Sequence, residues 1–134
     1  MAMASSESRQ SHLSQDDLSP LVTGLLQEIS QALDNEWDRA TEALEFVTRY
    51  GTIREPMLKL IEHREELRGK DFSFIRFKAK YIFNAREPVF FFPIKADSET
   101  SPSICDIPLE VGKRISVTRD EEVTPMVDVL VVKQ

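Results

Sequence analysis

Acid–base and nucleophilic chemistry near neutral pH draws most often on histidine, and this chain has two, His12 and His63. His12 falls in a polar N-terminal stretch with nothing to fix it. His63 stands among Glu62, Arg64, Glu65 and Glu66, so a solvated helix surface accounts for it without catalysis. The single cysteine, Cys105, lies between Ile104 and Asp106 and reads as a small core side chain rather than an activated thiolate. One cysteine and one placed histidine cannot supply the three or four converging ligands of a zinc site.

Other chemistries fail on spacing. The four glycines, Gly24, Gly51, Gly69 and Gly112, lie far apart, and none opens a strand-loop-helix unit that could cradle phosphates. Asp106 and the run Glu110-Val111-Gly112-Lys113 carry the residue types with which metal-dependent nucleases hold an ion and assist a water. Their spacing is loose, and surface charges on a strand-turn-strand explain them. No catalytic residue, metal or cofactor is expected.

Charge is distributed unevenly. The chain as a whole has a net charge of −6, yet residues 68–95 hold seven bases and two acids, net +5. Within that stretch Ile75, Phe77, Ala79, Tyr81 and Phe83 alternate with Phe74, Arg76, Lys78, Lys80 and Ile82. A period of two is the mark of a strand, and it predicts one over residues 73–83 with Ile75, Phe77 and Tyr81 turned inward. Phe74, Arg76, Lys78 and Lys80 would then share the outer face. Cations beside an aromatic could neutralise phosphates and stack a base of single-stranded RNA or DNA. The alternative is a basic face turned to water or to an acidic protein.

The elements that would position this strand begin with helices. Residues 1–17 are rich in Ser, Gln and Asp and read as a disordered tail. Ser19 and Pro20 then suit a helix start, followed by Val22, Leu25, Leu26, Ile29 and Leu33 at helical spacing. Asn35 is expected to cap a second helix carrying Trp37, Ala40, Leu44 and Val47. Gly51 would close it, and Thr52 to Glu55 would open a third helix that buries Ile53, Met57, Leu60, Ile61 and Leu67. A helical hairpin follows from these boundaries.

Beyond the basic strand, Val89-Phe90-Phe91-Phe92 is apolar on both faces and is expected to be covered on both sides or to sit in an interface. Short strands are expected around Gly112, and a last one from Met126 to Val132. Helices first and strands afterwards predict an α+β fold: two or three N-terminal helices packed on a mainly antiparallel sheet of four to five strands. Residues 18–134 form one such domain, with 18–69 helical and 70–134 sheet. A chain of this length buries roughly two thirds of its unfolded surface, enough for one core.

Composition sets the setting. No apolar run approaches the roughly 20 residues of a membrane span, no secretory signal is seen, and the lone cysteine fits a reducing compartment. A soluble, acidic cytoplasmic protein is expected, with the nucleus as a second compartment. The apolar surplus on the helices and at Trp37, Phe90, Phe91 and Phe92 predicts a non-enzymatic interaction or assembly protein, acting as an oligomer or as a subunit of a larger complex. Its partner would be a second copy or another protein. Single-stranded nucleic acid on Phe74, Arg76, Lys78 and Lys80 is the competing expectation.

Overall fold

From Phe72 onward the chain forms eight strands that pair like one long folded hairpin. In the computed structural model, which describes residues 13–134, these are β4 (Phe72–Phe77), β5 (Tyr81–Phe83), β6 (Val89–Ala96) and β7 (Ser103–Ile104), then β8 (Ile107–Pro108), β9 (Lys113–Val117), β10 (Glu121–Val123) and β11 (Val127–Lys133). The first meets the last: β4 pairs with β11, β5 with β10, β6 with β9, and β7 with β8, each antiparallel. Rolling this ribbon sets β6 beside β11 and β10 beside β7. Two sheets then face one another as a jelly roll.

Three further strands widen the larger sheet. β1 (Ser14–Asp17) adds to β9, and the hairpin of β2 (Trp37–Ala40) and β3 (Leu44–Val47) adds to β4. The orders are β1-β9-β6-β11-β4-β3-β2 in the seven-stranded sheet and β5-β10-β7-β8 in the four-stranded one.

Period-two alternation divides the apolar residues between two cores. Between the sheets lie Phe77, Phe91, Ile104, Ile115, Val117, Val123 and Val129, all fully buried. On the other face of the larger sheet, Phe74, Phe92 and Leu130 meet α1 (Pro20–Ala32) and α2 (Arg54–His63) through Leu26, Ile29 and Leu60, with Ile53 from the turn just before α2. Each large side chain so buried contributes about 1.5–3 kcal/mol. α1 starts where Ser19 accepts a hydrogen bond from the Val22 N–H at 3.2 Å, with Pro20 in the first turn where its missing N–H costs nothing.

The α+β arrangement expected from the sequence, helices on a sheet of four to five strands, is overturned by this mostly β fold of two sheets. The largest correction is the second helix. Trp37, Ala40, Leu44 and Val47 belong to a β-hairpin, so no helical hairpin forms. Leu44 packs in the core between the sheets and Val47 in the core under the helices. A separation of three, which puts residues on one side of a helix, puts them on opposite faces of a strand. Both faces of β3 are buried, and that mimicked a helical stripe. Thr41 closes the turn, its hydroxyl accepting from the Leu44 N–H at 3.1 Å.

Two smaller corrections follow. The single strand expected over 73–83 ends at Phe77, and the chain crosses to the other sheet before β5. Tyr81 is 38% exposed rather than interior. Of the tail expected over 1–17, residues 1–12 lie outside the described residues, Leu13 is buried, and Ser14–Asp17 form β1.

Candidate interaction surface

The cations singled out in the sequence do not form one face. Arg76 is drawn into a row of alternating charge that crosses four strands: Lys95 on β6, Asp128 on β11, Arg76 on β4 and Glu45 on β3 are successive cross-strand neighbours. Arg76 donates from Nε to Asp128 Oδ1 at 2.8 Å and from Nη2 to Oδ2 at 3.1 Å, while Nη1 stands 3.7 Å from Glu45. Its guanidinium lies 4.5 Å from the centre of the Trp37 ring. The Asp128 hydrogen bond raises the Arg76 pKa above its ordinary value, against burial, which lowers it. Asp128 is the one buried charged side chain among the described residues. This row is structural, because the guanidinium is held by two carboxylates and an indole and its charge is already compensated within the sheet.

The other residues of that expected face scatter. Phe74 is fully buried under the helices, Lys78 follows the end of β4 with its N–H bonded to Ala43 O at 2.8 Å, and Lys80 is exposed at the sheet crossing. The aromatic interface expected at Trp37, Phe90, Phe91 and Phe92 is likewise dispersed. Phe91 points between the sheets and Phe92 under the helices, so neither reaches the surface. Phe90 is half-buried beneath Arg114, whose guanidinium sits 4.3 Å from the ring centre.

A different apolar surface exists. Between the 3-10 turn at Gly51–Ile53, helix α2 and the start of β4 lies a recess of about 390 Å³ lined by Tyr50, Ile53, Met57, Leu58, Ile61 and Phe72. Tyr50 is 37% exposed and Leu58 55%. The Tyr50 ring packs against Phe72 and Phe74 at centroid distances of 5.3 and 6.0 Å, which fixes the wall of the recess. Burial raises the Tyr50 pKa, with the Asp38 carboxylate adding to the shift. Arg54 lines the recess, and exposed Arg49 adjoins Tyr50 in the chain.

Sequence reading missed this surface because Tyr50 and Phe72 are brought together only by the pairing of β3 with β4. One signal was legible: Leu58 interrupts the charged outer face of α2 between Glu55 and Lys59.

Among the described residues the centre of the space between the sheets is filled by Phe77, Phe91, Ile115, Val117, Val123 and Val129, and a recess of about 490 Å³ opens only toward its edge, at Ala96, Ser103, Pro108 and Leu109. Among the described residues no cluster of His, Cys, Asp and Glu is arranged to hold a metal ion. No helix among them is long and apolar enough to cross a membrane.

No family model matches the chain, and no curated protein matches it. Among solved structures it is similar to the viral collagen prolyl hydroxylase of Paramecium Bursaria Chlorella virus-1 in complex with 2OG, at 13% sequence identity and a TM-score of 0.47. That alignment covers 90% of this chain and 93% of the hydroxylase. A likeness of this degree carries nothing about what this chain binds or does.

Proposed function

We propose that this chain is a non-enzymatic interaction module, a packed jelly roll that presents the Tyr50–Leu58–Phe72 recess to a partner protein. The observation that carries this reading is the exposed apolar lining of the recess. Leu58 and Tyr50 keep large apolar area in water beside a fully formed core, and such area is stabilised when a partner covers it. An amphipathic helix is the occupant that fits, its apolar side chains entering the recess as anchors against Met57, a residue able to adapt its shape. Arg49 and Arg54 at the margin favour acidic residues flanking those anchors.

The test is capture of a defined partner. Leu58→Glu puts a charge into the recess and Tyr50→Ala removes its wall, so each should abolish capture of a partner retained by the wild type and by the control Glu62→Lys. Circular dichroism and melting temperature establish that Leu58→Glu remains folded. A partner held equally well by folded Leu58→Glu would end this reading of the recess.

A further inference from the structure

Among the described residues the two sheets together have four edge strands, and three of them are blunted against pairing with another chain. β1 presents Asp16 and Asp17, β2 presents Asp38 and Arg39 with a register irregularity between Trp37 and Arg39, and β8 is two residues long and ends in Pro108. Charge, bulges, proline and shortness are the usual means by which sheet edges avoid association. β5 has none of the first three. It reads Tyr81-Ile82-Phe83, pairs with β10 on one side, and is the last strand of its sheet on the other. Ile82 is 64% exposed, the most open of the large apolar side chains among the described residues.

From this we infer that β5 is a docking edge that receives an extended segment of a partner protein as an added strand, one with apolar residues at alternate positions and acidic residues at its ends. Backbone groups of β5 supply the pairing, and Ile82 supplies an apolar contact on the outer face. The ends are specified by charge. Lys78 and Lys80 precede β5, and Arg86 follows it. Of the nearby carboxylates, Glu121 and Glu122 lie one strand back on β10, Glu122 directly across from Ile82, Asp120 accepts from the Ala85 N–H at 3.0 Å, and Glu87 is 3.8 Å from Lys133. Along the chain β5 is therefore flanked by exposed cations, Lys80 before it and Arg86 after it.

The same charges argue against a second copy as the occupant. Antiparallel pairing of two β5 strands about Ile82 brings the flanking cations Lys80 and Arg86 of both copies to the ends of one pair, and like charges gathered there destabilise it. An acid-ended segment meets attraction at both places. This edge is separate from the Tyr50–Leu58–Phe72 recess, and either surface can hold without the other.

The experiment uses the full chain, isotope-labelled, with two synthetic peptides. Both have a centre of alternating valine and threonine; one is ended by aspartate and glutamate, the other by lysine. The acid-ended peptide is expected to shift the backbone amide resonances of Tyr81–Phe83, and the lysine-ended one to bind at least about tenfold more weakly. Lys80→Glu combined with Arg86→Glu is expected to reverse that preference. Ile82→Ser is expected to weaken both peptides, and its unchanged melting curve shows that the fold is intact. Three results would each overturn the proposal: no shift at β5 with either peptide, equal binding of both, or a concentration-dependent change at Tyr81–Phe83 without peptide, which would place a second copy on this edge.

Discussion

Arg76 on β4 and Asp128 on β11 stand directly opposite one another and share two hydrogen bonds of 2.8 and 3.1 Å. Asp128 is 5% exposed, so its charge depends on that partner for solvation. Removing one member of a buried pair costs about 3–5 kcal/mol, because the other charge is left without water or counter-ion. Arg76→Met should therefore lower unfolding free energy in urea by about 3 kcal/mol, and adding Asp128→Leu should restore most of the loss. A single substitution costing no more than about 0.5 kcal/mol, the range of a neutral surface change, would show that the row does not hold the sheet.

Acid should loosen the β2–β3 hairpin first. The Asp38 carboxylate accepts from the Thr48 hydroxyl and from the Thr48 N–H, the latter at 3.0 Å, and ties the two ends of the hairpin. The hydroxyl bond is the main cause that holds the Asp38 pKa below its ordinary 3.8. A carboxylate with a depressed folded pKa contributes stability that is present above its unfolded pKa and lost as pH falls through the folded one. Protection of the Thr48 amide against hydrogen exchange, corrected for intrinsic rate, should fall below pH 3.8. Asp38→Asn keeps an acceptor oxygen for the Thr48 N–H but has no carboxyl to titrate, so its protection should show no such transition.

How far these elements were legible differs by element, for physical reasons. The Ser19-Pro20 start of α1, the inward turn of Ile75 and Phe77, and the double-sided burial of Val89 to Phe92 are local patterns, and the chain keeps them. β1 has no such pattern. Ser14-Gln15-Asp16-Asp17 becomes a strand because β9 offers it a free edge and because Arg114 and Lys113 lie across from Asp16 and Asp17. The jelly roll itself is set by pairing strands far apart in the chain, β4 with β11 and β5 with β10, and no window of sequence contains both members. Arg76 was legible as a notable cation, but its neutralisation by Asp128 and Glu45 was not.

Arg114 should not tolerate lysine. Its guanidinium lies over the Phe90 ring, donates to Glu66 at 2.6 Å and also pairs with Asp16, so it joins β1, β6 and the turn after α2. A lysine keeps the charge but loses the flat surface that stacks and the fork that reaches two carboxylates. Arg114→Lys is expected to cost about 1 kcal/mol, with a stack of this kind contributing about half of it or more. The pair with Asp16 is exposed and screened while the one with Glu66 is part-buried, so the mutant's deficit should shrink in high salt without vanishing. Urea titrations at low and high salt measure both parts, and a deficit abolished by salt would assign all of it to charge.

The tip of the roll holds a substitution that should stabilise the protein. β7 and β8 are joined by Cys105 and Asp106, whose φ angles are +49° and +65°, so both central residues of this two-residue hairpin turn are left-handed. That conformation suits the right-handed twist of the flanking strands and is best served by asparagine followed by glycine. A cysteine there strains its backbone, since the Cβ of an L-residue at positive φ crowds the following carbonyl oxygen. The pair Cys105→Asn and Asp106→Gly is expected to add about 1 kcal/mol of stability and raise the melting temperature by roughly 3–5 °C. Loss of stability instead would mean that contacts of the Cys105 side chain with the surrounding core outweigh the backbone strain at the turn.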